Sequence, residues 1–155
     1  ISVANRHKKT QIGYDYVHTA IDDYTRLAYS EVLTDEKDRT CAEFLHRAMT
    51  WFAALGVPVR EILTDNAMVY RRGSDWATAC LAWSLKRRFT KPGCPWTNGK
   101  AERFNRTLLN EWAYARPWTS NGQRKRGLDQ FLHRYNTRRG RSALGGRPPI
   151  SRLAA

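Results

Sequence analysis

Residues 91–112 constrain the chain more than any other stretch. The segment opens with Pro92, Gly93 and Pro95 and runs into Thr97-Asn98-Gly99, a run of turn residues. It then takes on helical periodicity. Ala101, Phe104, Leu108 and Trp112 recur at three- and four-residue spacing and make one apolar face. Asn98 is expected to be the N-cap, its side-chain oxygen accepting a first-turn N–H. Glu102 sits one position round from the apolar face, with Arg103 and Arg106 beside it. Two readings of Glu102 stand together here. A carboxylate at the mouth of a basic loop is placed to hold a metal ion against a phosphate. It also complements the positive end of a helix dipole, with no further role.

A second stretch favours the first reading. Glu61-Ile62-Leu63-Thr64-Asp65-Asn66 reads as a short apolar strand ending in a carboxylate. In open α/β sheets, functional residues gather at the carboxyl ends of strands. Thirty-six residues separate Asp65 from Glu102. The pattern Thr64-Asp65-Asn66, that gap, then Thr97-Asn98-Gly99-Lys100-Ala101-Glu102-Arg103-Phe104 resembles the catalytic core of DDE transposases and retroviral integrases. It is most similar to the integrase-like core of bacterial insertion-sequence transposases. Residues 14–26, Tyr135-Asn136-Thr137-Arg138-Arg139 and the run from Ser142 to Pro149 extend the resemblance over nearly the whole chain.

The resemblance implies a ribonuclease-H-like fold, a mixed sheet with helices on both faces. Periodicity alone supports only an α/β chain with a mixed sheet. Strands are expected over 14–21 and 26–33, joined by a turn at Asp22-Asp23-Tyr24. Thr40-Cys41-Ala42-Glu43 has the form of a capping box and is expected to start a helix that Gly56 ends. A strand follows over 59–63. A helix over 75–86, capped by Ser74, leads to a short strand around 87–90. A last helix is expected over about 122–136, with Leu128, Phe131, Leu132 and Tyr135 inward. Residues 1–13 read as a loop or arm and 138–155 as a basic, irregular tail. The length suits a single domain over 1–155.

Charge speaks to the partner. Twenty-seven Lys and Arg stand against 14 Asp and Glu, a formal +13. That favours a polyanion, through release of the counterions condensed around phosphates. Basic proteins of many kinds share the property, so charge says nucleic acid and not what is done to it. Cys41, Cys80 and Cys94 form neither a disulfide framework nor a ligand pair, which fits a reducing cytoplasm. No apolar run is long enough to span a membrane.

The resemblance implies a specific chemistry, in which three carboxylates hold two magnesium or manganese ions that cut and rejoin a phosphodiester. Asp65 matches the second carboxylate and Glu102 the third. Asn66, Asn98, Lys100, Arg103 and Arg106 are the expected DNA contacts, alongside capping, turn or solvated roles for the same residues. DNA ends and target are the implied partners, with a homo-oligomer in the active complex. The first carboxylate is expected upstream of the hairpin, on a central strand that this sequence lacks. Asp22 and Asp23 are the tempting substitutes, and a structural role at the turn is expected for both. Ala67 stands where the family has glycine, which would cost about 1–2 kcal/mol if the backbone there required a positive φ. Trp96 reads as a core cover or a base-stacking wedge, and His18 and His133 as packing or hydrogen-bonding residues. The alternative to a transposase core is a non-catalytic DNA-binding remnant of the same fold. A third reading is a ribonuclease-H-like nuclease unconnected with transposition.

Overall fold

Two strand pairs, each covered by helices, organise the computed structural model, which describes residues 15–94 and 98–153. The expectations for residues 1–13, Tyr14 and Trp96 lie outside these. β1 (Tyr16–Ile21) and β2 (Ala28–Leu33) form an antiparallel hairpin, with Tyr16 opposite Leu33 and Ile21 opposite Ala28. The turn is held by Asp22, whose Oδ2 accepts the Thr25 N–H and hydroxyl, each at 2.7 Å. Alternation then gives the hairpin two covered faces. Ala28 and Val32 join one apolar cluster, and Tyr29 and Leu33 pack against another.

The second of these clusters is built on α1 (Asp38–Ala54), whose stripe Cys41, Phe44, Leu45, Ala48, Met49 and Phe52 is buried. Gly56, with φ +73°, ends the helix as expected. The start differs: α1 begins at Asp38, two residues before the capping-box threonine. Asp35 accepts the Lys37 N–H at 2.9 Å and turns the chain into the helix early. Asp38 then serves a different helix. Its two oxygens accept the N–H groups of Asp75 (2.9 Å) and Trp76 (2.8 Å), capping α3 (Ser74–Ala82). Ser74, expected as that cap, is the first helical residue instead. Gly73 lies against the Asp38 carboxylate and the Val69 carbonyl, where a Cβ would collide with both.

β3 (Glu61–Thr64) precedes a short helix, α2 (Met68–Arg72), that periodicity did not reveal. α3 stops at Ala82, four residues earlier than expected. Ser84 takes a positive φ of 53°, Leu85 enters the core, and β4 (Lys86–Phe89) pairs in parallel with β3. The register sets Ile62 beside Arg87 and Thr64 beside Phe89.

Among the described residues the two strand pairs are separate sheets, β1–β2 and β3–β4. A cavity of about 660 Å³ lies between them, lined by residues 17–21 of β1 and 61–64 of β3, with Phe44, Leu45 and Phe52 of α1 also on its wall.

α4 (Gly99–Leu108) continues as a π-helical turn, Leu109–Ala113. Phe104, Leu108 and Trp112 are buried as their spacing required, and Ala101 is half-buried. They meet Leu128, Phe131 and Tyr135 of α5 (Asn121–Thr137). Ser120 caps α5 by accepting the Gln123 N–H at 3.1 Å. Asn136, on the same helix, is buried against β2. Its amide oxygen accepts the Ala28 N–H at 2.9 Å and its amide nitrogen donates to the Ala28 carbonyl at 2.8 Å. One side chain thus supplies the pair of bonds that a neighbouring strand would. The tail is less irregular than expected. It forms 3₁₀ turns at Ser142–Leu144 and Pro149–Arg152, buries Leu144 and Pro149, and ties back through Arg152 to the Tyr24 carbonyl. No described helix is long and apolar enough to cross a membrane.

Two substitutions test this account. Asn136→Ala leaves two buried backbone groups of Ala28 without partners, at about 1–3 kcal/mol each, and urea denaturation should show a loss of that order. Asp38→Ala should cost about 0.5–2 kcal/mol through the lost cap. A denaturation midpoint unchanged in both would refute these roles.

Candidate active site

Asp65 follows β3 directly. Its Oδ1 accepts the Ala67 N–H at 2.9 Å, a local turn that leads into α2. Ala67 itself has φ −56° and ψ 144°. The backbone is in the ordinary extended region, so alanine carries no left-handed penalty there. Asn66 turns the other way and ties the ends of the parallel strands together. Its amide nitrogen donates to the Thr90 carbonyl at 2.8 Å and lies 3.3 Å from the Thr90 hydroxyl. The Thr90 N–H in turn donates to the Thr64 carbonyl at 2.9 Å, extending the ladder one step past β4.

Glu102 occupies the first turn of α4, exposed. Asn98 is at the N-cap position, but its side chain makes no cap hydrogen bond, since φ −111° and ψ 14° leave it outside the extended geometry that a capping side chain uses. Instead it lines a recess of about 380 Å³ together with Asp65, Asn66 and Glu102. Residues 90–94, including Lys91 and Cys94, complete the wall. Two carboxylates separated in sequence by a helix pair, a strand and a loop therefore open into one space.

The other expected contacts divide. Lys100 makes an ion pair with Asp23 in the hairpin turn, and this hydrogen bond holds the Asp23 carboxyl below the usual carboxylate range. Arg103 and Arg106 are exposed on α4 and line neither cavity. Asp22 is engaged by Thr25 and Asp23 by Lys100 and Arg26. Both carboxylates thus have the structural role expected of the turn. His18 Nε2 donates to the Asp35 carbonyl (2.8 Å) and its ring lies near Phe44, a packing role as expected, while His133 is exposed. Lys91, Thr90 and Cys94 were not singled out as wall residues. The signal for them was the basic, turn-rich loop itself.

Carboxylate oxygens are the donors that magnesium and manganese prefer. Asp65 and Glu102 supply two such groups, and Asp65 keeps one oxygen clear of its local turn. Among the described residues no third His, Cys, Asp or Glu joins them in a metal-holding group. The donor set fits a hard divalent ion and is incomplete within those residues.

Comparison with known proteins places this arrangement. One model of the integrase core domain matches residues 5–95, more than half of the chain, and a second matches residues 84–149. The chain belongs to the integrase core domain family. Over 92 residues it is 39% identical to a Shigella flexneri protein described as a probable transposase for insertion sequence element IS1353. That match takes in 57% of this chain and only 18% of the relative's length. Solved structures share the fold at low identity. A chain of the simian T-cell lymphotropic virus intasome, in complex with PP2A regulatory subunit B56 gamma, superposes with TM-score 0.72 at 19% identity, covering 91% of this chain and 49% of its own. The catalytic core domain of BIV integrase gives 0.69 at 17%, covering 90% and 86%. That of HTLV-2 integrase in complex with magnesium, in trimeric form, gives 0.64 at 17%, covering 88% and 83%. The fold of this integrase core is ribonuclease-H-like, a mixed α/β arrangement in which the hairpin carries helices on both faces.

Asn66 is the residue on which the recess wall depends. Asn66→Ala should lower stability by about 0.5–1.5 kcal/mol, the net worth of an ordinary hydrogen bond. It should also loosen residues 90–94, seen as faster amide exchange there. Exchange unchanged at Thr90 and Lys91 would rule out the strap.

Proposed function

We propose that this chain is the catalytic core of a DDE-type insertion-sequence transposase, which cleaves DNA at element ends and transfers the strand to a target. The observation that supports it best is the shared recess of Asp65 and Glu102, delivered by a strand end and a helix start from opposite ends of the resemblance. Asp65 and Glu102 would hold magnesium or manganese. When bound, such ions activate the attacking water or 3′-hydroxyl and stabilise the leaving oxygen.

The protein's own groups do the rest. The Ala67 N–H fixes one oxygen of Asp65 and so orients the other. The Asn66 strap holds the loop wall against the strand ends, which keeps Lys91 near a bound phosphate. The helix start presents Glu102 from a rigid element, because Phe104 and Leu108 lock α4 into the core. Asn98, Lys100, Arg103 and Arg106 would contact the DNA backbone. In that role Lys100 exchanges Asp23 for a phosphate. The neighbours described as an intasome and as a trimeric form support a multimer on DNA.

A complete family site needs a further aspartate. Asp22 and Asp23 are engaged elsewhere, so it would come from a segment preceding the hairpin. The incomplete donor set also favours a second reading, a DNA-binding protein without chemistry.

A magnesium- and manganese-dependent nicking assay separates the two. It would compare this chain with a form extended upstream through one more strand. Activity in the extended form alone supports the transposase and its three carboxylates. Binding without cleavage in both forms would support the remnant. In the active form Glu102→Gln should abolish cleavage, by at least about 10²-fold, while DNA binding persists. Cleavage that survives this change would remove Glu102 from the metal site.

A further inference from the structure

β4 reads Lys86-Arg87-Arg88-Phe89, and its two faces differ in charge state. Lys86 and Arg88 point to one face and both pair with Glu61 across the strand boundary, at 3.8 and 2.6 Å. Arg87 and Phe89 lie on the other face, half-buried. There the Arg87 guanidinium carbon is 5.9 Å from the centre of the Phe89 ring. Arg71 of α2 reaches the same ring at 5.1 Å. Neither Arg71 nor Arg87 forms an ion pair with any described carboxylate. Glu61 of β3 is taken by Lys86 and Arg88, and Asp38 caps α3.

Position matters as much as charge. Phe89 stands beside Thr64 in the parallel register, one residue before Asp65. Adjacent strands are about 4.8 Å apart, so the stacked pair lies one strand spacing from the chain that carries the first recess carboxylate. Lys91, two residues on, lines the recess itself. A guanidinium beside a ring face is held there by the ring quadrupole and keeps its charge, so it is a placed donor for phosphate oxygens. Two such groups on one ring are an organised anion site, where loose surface cations are not.

We propose that Arg71 and Arg87, stacked on Phe89, form a phosphate-binding shelf that receives the backbone of duplex DNA on the α2–β4 side of the recess, opposite the contacts expected from α4. This rests on the DNA-acting reading above. It adds a track on a surface that sequence motifs did not mark, in addition to the exposed Arg103 and Arg106 of α4.

The test is fluorescence anisotropy on a 20-base-pair duplex across a salt series. Arg71→Ala/Arg87→Ala should lower the slope of log K against log salt by about 1.8, and weaken binding on the order of 10- to 100-fold near 0.1 M salt. Arg71→Lys/Arg87→Lys keeps both charges, so the slope should return, with affinity below that of the unaltered chain. Lys125→Ala/Arg126→Ala removes two exposed charges on α5 and should change the slope by far less. Thermal melts followed by circular dichroism show that each variant is folded, and the lysine variant carries the test if the alanine one is not. A double-alanine variant that binds like the parent overturns the shelf, as does an equal loss from the α5 pair. A parent chain with no salt-dependent DNA binding overturns the shelf together with the transposase reading.

Discussion

The position of the recess depends on α1. Among the described residues no backbone ladder joins the hairpin to the β3–β4 pair. What relates them is the apolar stripe of one helix. Phe44 packs near both His18 and Tyr29 of the hairpin, with ring centres 5.4 and 5.7 Å away. Ile62 of β3 packs against the cluster built on the same helix, which also fixes the start of α3 through Asp38. Apolar packing is non-directional, and its strength follows the area covered. The Asp38 cap adds the direction that packing lacks. Together they aim β3, and so Asp65, without strand-to-strand hydrogen bonds to the hairpin.

The parts of this structure that could be read from the sequence are those whose signal is local. α1, α4 and α5 each carry an apolar stripe at helical spacing, and all three appear within a few residues of expectation. Asp65 and Glu102 were marked by motif, and the fold brings them to one recess. What escaped reading is non-local. Asp38 caps a helix that begins thirty-six positions later, which no window of residues around Ser74 reveals. Asn136 looks like any polar residue near a helix end until its amide is found on Ala28. α2 spans five residues, too few for periodicity to register. Ala67 raised a concern that only a dihedral angle could remove.

Charge gains meaning once partners are known. Glu31, Glu61 and Glu111 each bind arginine, and Glu61 and Glu111 each hold two cations. With 27 basic residues for 14 acidic ones, this leaves many cations facing solvent. Asp65 and Glu102 make no ion pair among the described residues. Both are exposed and line one recess.

The π-helical turn at Leu109–Ala113 bears on the direction in which Glu102 points. A π turn holds one residue more than the α-helical turn it replaces. Downstream, Trp112 donates to the Arg124 carbonyl at 3.0 Å and Glu111 holds Arg134 of α5 and Arg139 just beyond it, so this end is anchored. Each residue of an α-helix advances the azimuth by about 100°. The inserted residue therefore acts as a phase adjuster between an anchored end and a working end. Phe104 and Leu108 anchor the other side as well, so shortening the chain by one residue within this turn would set the two buried registers about 100° out of phase. Either the packing that presents Glu102 or the seat of Trp112 against α5 would have to give, with every side chain of the recess still present in the sequence.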